Sequence, residues 1–186
     1  MKKLIDADIL ERFKKGDTSA FKEIVTTYQD SIYNLCVYMI GDPINAEDLT
    51  QDVFIKAYTN LKSFKPQASI YTWLYRIAVN TCIDYKRKTT LESMFTHKND
   101  EEIISNQPSN DPAPESISDS KQGVSDLKRA LERLSKKLKT VIIMREIEGL
   151  SYEEIAQALD VSVGTVKSRL SRARNELQRL MKKTAL

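Results

Sequence analysis

The chain has 186 residues, of which 41% are hydrophobic and 30% charged, with a formal net charge of +3. This length accommodates one ordinary domain or two small ones, and the apolar content is sufficient for packed cores. No apolar run approaches the ~20 residues that cross a bilayer, and Asp6 comes too early for a secretory signal. We therefore expect a soluble, cytoplasmic protein without membrane insertion.

Few residues of the chain suit catalysis or metal binding. Cys36 and Cys82 are the only cysteines, and His97 is the only histidine, which is too few for a disulfide framework or a metal cluster. The glycine-rich nucleotide-binding motifs and the hydrolase nucleophile motif are absent. The sequence therefore predicts no cofactor, no metal site and no enzyme. Because both cysteines fall within helical patterns, we expect buried thiols.

Hydrophobic periodicity predicts helices throughout the N-terminal half. A short helix covers about 6–15, and a longer one from Asp17 has an apolar stripe that runs to Met39 and ends at Gly41. A third helix is predicted from Asn45, as N-cap, to about Leu61. A fourth is predicted over about 70–88, and no strand pattern competes with these helices.

Between residues 93 and 123 this periodicity fails. The stretch contains three prolines, and acidic residues dominate from Asn99 to Asp126. Such a composition buries too little apolar surface to offset the entropy of ordering, which predicts a flexible acidic linker. Helical patterning resumes at Leu127 and ends at Gly149. The predicted fold is all-α, with two small helical domains, residues 1–92 and 124–186, joined by this linker.

Residues 152–171 have the pattern of a helix-turn-helix. Ser151 and Glu154 have the spacing of a capping box, and Asp160, a residue that tolerates a left-handed conformation, lies in the turn. The tail after Asp160 is strongly basic, which favours a polyanionic partner. Two alternatives are a basic, solvent-facing helix and a membrane-surface helix. A helical wheel predicts that base edges or phosphates are contacted by Thr165, Lys167, Ser168, Arg169, Ser171, Arg172 and Arg174.

Four segments carry a resemblance to a known family. Glu146–Ala156 with Val163–Arg169 resembles region four of sigma factors of the extracytoplasmic-function (ECF) group within the sigma-70 family. Ala46–Phe54 resembles region 2.2 of the same proteins, and Thr72–Asn80 resembles region 2.3 leading into 2.4. The resemblance covers both predicted domains in order, and it implies promoter recognition and melting as part of transcription initiation, with a stress or envelope regulon expected.

In the third helix, the resemblance implies a face that docks on the coiled coil of the RNA polymerase largest subunit. The wheel places an apolar residue on an otherwise acidic side, opposite the buried stripe, which suits a basic partner. A solvated face with one stray isoleucine is the alternative. The residues predicted to bind polymerase, within 48–61, are Asp48, Gln51, Asp52, Ile55 and Lys56.

In the fourth helix and the loop before it, the resemblance implies reading and melting of the minus-ten element. A tryptophan beside cationic and amide groups suits stacking on unpaired bases, although core packing is the alternative for this residue. The loop over 63–69 is where the family captures an extruded base. The predicted residues are Phe64, Lys65, Tyr71, Trp73, Arg76, Asn80, Asp84, Lys86 and Arg87.

The resemblance thus implies core RNA polymerase, including its flap region, promoter DNA and an anti-sigma factor as partners. We expect the free chain to be a monomer, since no long heptad seam is present. The alternative is a self-sufficient helix-turn-helix regulator whose N-terminal domain senses a signal or dimerises. That alternative predicts tight DNA binding without polymerase, whereas a sigma factor binds DNA weakly alone.

Overall fold

The computed structural model describes residues 2–64, 69–96 and 118–184. Within these ranges it contains no strand, which confirms the predicted all-α class. No helix in the described ranges combines the length and the apolarity that a bilayer crossing requires. The helices are α1 (Lys2–Lys14), α2 (Ser19–Ile40), α3 (Pro43–Asn60), α4 (Ile70–Thr96), α5 (Ser118–Arg133), α6 (Lys136–Ile142), α7 (Tyr152–Leu159) and α8 (Val163–Thr184).

The N-terminal domain packs α2, α3 and α4 around one core, with α1 against α2. Gly41, at φ +88°, terminates α2, as predicted. The predicted N-cap of α3 is wrong. Asp42 is the cap, since its carboxylate accepts the Ile44 N–H at 2.9 Å, and Pro43 supplies the fixed φ of the first helical position. Asn45 lies inside the helix and donates its side-chain amide to Asp42.

The C-terminal domain places α5 and α6 against α8, with α7 crossing its N-terminal part. The single helix predicted up to Gly149 is interrupted at Leu134–Ser135, where α5 ends and α6 begins. A π-helical turn, Ile143–Ile147, follows α6. Most of the predicted linker, residues 97–117, lies outside the described residues, while α4 continues to Thr96.

The two domains pack directly against each other, mainly through α4 and α7. One cluster of buried side chains runs from the N-terminal core, including Leu74 and Tyr75, into the C-terminal domain, including Met144 and Ile155. The contact between the domains was not predicted from the sequence, because each amphipathic stripe accounts only for packing within its own domain. The faces predicted to read DNA are therefore positioned relative to one another by packing.

The capping box of α7 gives a direct test of the fold. The Glu154 N–H donates to Ser151 Oγ at 3.1 Å, and the Ser151 N–H donates to Glu154 Oε2 at 2.8 Å. We expect Ser151→Ala to destabilise the protein by about 1 kcal/mol, because the first turn loses a side-chain acceptor. Ser171→Ala, at an exposed position inside α8, should leave the thermal unfolding midpoint unchanged or slightly raised. Equal midpoints for the two variants would contradict the role of the cap.

Candidate nucleic-acid interface

The helix-turn-helix forms as predicted, from α7, a short turn and α8. Asp160 adopts φ +53°, the left-handed conformation that the turn requires. The Val161 N–H closes the end of α7 on the Ala156 carbonyl at 3.0 Å. Ser162 then caps α8, since its hydroxyl accepts the Thr165 N–H at 3.1 Å. The start of α8 is thereby held at a defined angle to α7, as a recognition helix requires.

Six of the α8 residues predicted to contact DNA divide into an exposed group and a partly buried group. Lys167, Ser168, Ser171 and Arg172 are all exposed at the beginning of the helix. Thr165 and Arg169 are partly buried, and the Thr165 hydroxyl lies 2.9 Å from Ser162 Oγ.

Arg174 is engaged within its own domain. Its guanidinium contacts Glu146 Oε1 at 2.7 Å and 3.0 Å. The ion pair orders the side chain, so its positive charge is partly neutralised before any phosphate approaches.

The outer face of α3 carries its predicted residues at the surface. Asp48, Gln51 and Asp52 are exposed, and Ile55 has 61% of its surface accessible. Ile44, at 78%, lies three turns earlier on the same side, since eleven residues bring a helix back to nearly the same angle. Ile44 was not predicted as part of this face, although its spacing of eleven residues from Ile55 is visible in the sequence.

Lys56, which was also predicted to bind polymerase, extends toward α4. Its ammonium donates to the Thr81 hydroxyl at 3.0 Å and so links α3 to α4. The wheel gives the angle at which a side chain leaves its helix, but a four-carbon stem can bend toward a neighbouring helix.

Trp73 is partly buried and does not lie isolated on a polar face. Its ring packs against Phe64 with centroids 5.0 Å apart, and Phe64 is itself buried. Phe64 therefore supports the indole ring of Trp73 by direct contact. Lys65, the neighbouring predicted contact, lies outside the described residues.

The remaining predicted residues of α4 line one side of the helix. Arg76, Asn80, Asp84 and Arg87 are exposed, while Lys86 is partly buried. Arg87 forms an ion pair with Asp84 at 3.0 Å. Asp84 therefore partly offsets the positive charge of Arg87, which was predicted to contact DNA.

Two of these α4 residues face the C-terminal domain. Arg76 lies 3.7 Å from the carboxylate of Asp160, the turn residue of the helix-turn-helix. A cavity of about 360 Å³ separates the domains at this point, and Asn80 and Arg169 both line it. Residues predicted to read two different promoter elements therefore meet across one cavity in this arrangement.

A buried tyrosine and a carboxylate also join the two domains. The Tyr75 hydroxyl donates to Glu148 Oε2, and the Tyr71 hydroxyl lies 3.3 Å from the Glu148 carbonyl oxygen. Burial raises the pKa of Glu148, and the hydrogen bond from Tyr75 only partly opposes this effect. Tyr71 is predicted from the sequence as a DNA contact, whereas Tyr75 and Glu148 were missed because their pairing links residues 73 positions apart.

A buried lysine lies at a second point of contact between the domains. Lys139, on α6, is 4% exposed and donates its ammonium to the Met39 carbonyl at 3.4 Å. Burial, with a smaller contribution from the nearby Lys86, lowers the pKa of Lys139 to about 8. Nothing in the sequence distinguishes Lys139 from its exposed neighbours.

These features define a helical DNA-binding protein with a basic helix-turn-helix and a second helical domain. Comparison with protein families matches residues 24–92 to "Sigma-70 region 2" and residues 125–177 to "Sigma-70, region 4". The chain is 36% identical over 177 residues to the ECF RNA polymerase sigma factor SigW of Bacillus subtilis, covering 93% of this chain and 95% of the relative. It is 37% identical to the ECF RNA polymerase sigma-E factor of Haemophilus influenzae, covering 96% and 98%. The chain therefore belongs to the extracytoplasmic-function group of sigma-70 factors.

A solved structure also resembles the whole arrangement. The sigma factor RpoE from Bartonella quintana, in complex with the anti-sigma factor NepR, superposes with a TM-score of 0.68 at 30% identity. The match covers 87% of this chain and 96% of that chain. Both domains are included in this coverage, so the arrangement of the domains found here resembles that of a sigma factor held by its inhibitor.

The buried lysine predicts a dependence of stability on pH. An unfolded chain keeps its lysines protonated to about pH 10.4, whereas Lys139 and Lys86 have lowered pKa values in the folded chain. Above pH 8 the unfolded state therefore binds more protons, and stability should rise with pH. Cys82, whose pKa is raised in the folded chain, acts in the opposite direction, so it is the contribution of Lys139 to the unfolding midpoint that we expect to increase from pH 7.5 to 9.5.

Lys139→Met should flatten this increase, because the titrating group is gone. Lys137→Met, at an exposed neighbouring position, serves as the control and should keep the wild-type slope. The explanation fails if the Lys139→Met and wild-type proteins show the same pH dependence.

Proposed function

We propose that the chain binds core RNA polymerase through the outer face of α3 and brings α4 and α8 to the minus-ten and minus-35 elements of one promoter. The observation that carries this proposal is the surface of α3. Ile44 and Ile55 project from it among Asp48 and Asp52, although a monomeric domain gains nothing from exposing two large aliphatic side chains on an acidic face. An apolar centre with a charged rim suits a basic helical partner such as the coiled coil of the polymerase largest subunit.

In this proposal each DNA contact is weak alone and becomes sufficient on the enzyme. Lys167, Ser168, Ser171 and Arg172 approach the major groove from the start of α8, as a recognition helix does. Trp73, backed by Phe64, offers an aromatic face to an unstacked base of the minus-ten element. Polymerase fixes the spacing of the two domains, so the second contact becomes effectively intramolecular.

The packed arrangement suits a free or inhibited sigma factor better than one on a promoter. Arg76 is paired with Asp160, and Asn80 faces a cavity too narrow for duplex DNA. We propose that binding to polymerase separates the domains across this cavity, with residues 97–117 as the connection between α4 and α5. An anti-sigma factor would favour the packed arrangement, in line with the complex formed by the Bartonella quintana relative. The family is one of transcription factors, and we propose no catalytic activity.

Ile55→Glu tests the polymerase face. It places a charge where an apolar residue is expected to be buried by the partner, so co-purification with core polymerase should fall at least tenfold while the unfolding midpoint stays unchanged. Leu91→Glu is the matched control, because Leu91 is 49% exposed on a different helix. Equal retention of both variants on core polymerase would refute this docking face.

Run-off transcription with core polymerase tests the contacts of α8. We expect Lys167→Ala or Arg172→Ala to weaken the affinity of the holoenzyme for promoters by about 1–3 kcal/mol where the residue reads a base. Where it contacts a phosphate, the slope of log affinity against log salt should fall by about one. Lys182→Ala, an exposed cation near the end of α8, should change neither quantity.

The same assay separates the proposal from a self-sufficient regulator. A sigma factor should give a specific transcript only with core polymerase and should bind promoter DNA weakly alone. Tight and specific binding of the free chain to DNA, with no polymerase-dependent transcript, would instead indicate a regulator.

A further inference from the structure

Two thiols lie in contact inside the N-terminal domain, and the proposed function uses neither of them. Cys36, on α2, and Cys82, on α4, are both fully buried, and their sulfur atoms are 3.7 Å apart. Both are free cysteines. Buried cysteines are common, but a pair whose sulfurs face each other across two helices has a chemistry that single thiols lack.

The surroundings of the pair differ from an ordinary apolar core. Met39, one turn after Cys36, accepts the hydrogen bond from Lys139 of the C-terminal domain. Lys86, one turn after Cys82, approaches from α4, and both ammonium groups lie close enough to lower the pKa of Cys82 electrostatically. Two lysines, one from each domain, therefore lie near Cys82, although the contact with Cys36 and burial outweigh them and raise the pKa of Cys82 overall.

The two thiols are not equivalent. Cys82 donates its S–H to Cys36, and this hydrogen bond lowers the pKa of Cys36 despite the opposing effect of burial. The same interaction raises the pKa of Cys82. Cys36 is therefore the first of the pair to become a thiolate, and Cys82 remains a protonated thiol in contact with it.

We propose that Cys36 and Cys82 are an oxidisable pair that forms a reversible disulfide within the chain when the protein meets hydrogen peroxide. Rotation of the side chains must bring the sulfurs from contact distance to about 2.05 Å, the length of a disulfide bond. In reducing compartments, disulfides are mostly transient and serve catalysis or redox sensing. The oxidised and reduced forms would then be two states of the domain that carries the proposed polymerase and minus-ten faces.

The reaction proceeds in two balanced steps. The Cys36 thiolate attacks one oxygen of hydrogen peroxide, so that an S–O bond forms, the O–O bond breaks, and the departing hydroxide takes a proton to become water. Cys82 then attacks the sulfur of the Cys36 sulfenic acid, which forms the S–S bond and releases hydroxide. The proton of Cys82 converts that hydroxide into a second water. A small dithiol reverses the process by thiol–disulfide exchange.

Access to the pair depends on the packing between the domains. Lys139 and Thr140, on α6, lie over Met39, with Thr140 Oγ1 3.5 Å from Met39 Sδ. Because the thiols have no exposed surface, peroxide must enter through an opening motion. Separation of α6 from α2 provides such a route, so we expect oxidation to be faster whenever the domains move apart.

The test uses the full-length, reduced protein and dilute hydrogen peroxide. We expect the intact mass to fall by two hydrogen atoms and both thiols to become resistant to alkylation in denaturant, with recovery after dithiothreitol. Digestion should yield one disulfide-linked pair of peptides that contain Cys36 and Cys82. The oxidised wild type should also unfold at a higher temperature, since the bond closes a long loop of the unfolded chain.

Single substitutions then assign the roles. Cys82→Ser should leave a sulfenic acid on Cys36 that dimedone traps, and Cys36→Ser should give several-fold less adduct on Cys82. Tyr75→Phe, which removes the hydrogen bond to Glu148 without touching either thiol, should accelerate formation of the disulfide several-fold.

Several results would overturn the proposal. The first is that both thiols remain open to alkylation after peroxide treatment of the wild type, and the second is that only disulfide-linked dimers of the chain form. Equal trapping in the two serine variants would contradict the assignment of Cys36 as the nucleophile, and an unchanged rate in Tyr75→Phe would contradict access through the domain interface. The wild-type peptide map decides the main point even where a serine variant fails to fold.

Discussion

The hydrogen bond between Tyr75 and Glu148 lies where the N-terminal and C-terminal domains meet, and the relation between the two faces proposed to read DNA depends on it. A carboxylate that is partly removed from water needs a hydrogen-bond donor, and here the donor is a tyrosine from the other domain. Separation of the domains would return Glu148 to water and leave Tyr75 exposed beside Tyr71. The contact therefore helps to hold the domains together, because Glu148 of the C-terminal domain receives its hydrogen bond from Tyr75 of the N-terminal domain.

This packing competes directly with the proposed reading of DNA. Arg76 lies within ion-pair distance of Asp160, and the side of α4 that carries Asn80 faces the cavity in front of α8. The same surfaces cannot contact a promoter while they contact each other, so any partner that binds one face favours separation. By the logic of population shift, polymerase needs only to bind the separated form more tightly than the packed one. An inhibitor that spans both domains would have the opposite preference.

Local signals in the sequence predicted those parts of the structure that depend on near neighbours. The stripe of α3, the capping box at Ser151 and the left-handed Asp160 follow from the spacing of side chains and from backbone preferences. Contacts between distant segments could not be predicted in this way. The reach of Lys56 to Thr81, the support of Trp73 by Phe64, and the pairing of Tyr75 with Glu148 all require knowledge of which helices become neighbours. The cap of α3 was missed for another reason, since the predicted α2 ends at Gly41 and the predicted α3 begins at Asn45, which leaves Asp42 and Pro43 between the two helices.

The composition of the interface explains why it can act as a separable contact. Besides apolar side chains it partly buries the carboxylate of Glu148 and fully buries the ammonium of Lys139, and this burial shifts the pKa of each group toward its neutral form. The ammonium is satisfied by a backbone carbonyl, and the nearby Glu132 only partly offsets its desolvation. Apolar residues in both places would hold the domains together more tightly, as replacements of buried charges by hydrophobic residues generally do. A contact that carries such costs suits the proposed function, in which the packed arrangement is exchanged for contacts with polymerase and promoter.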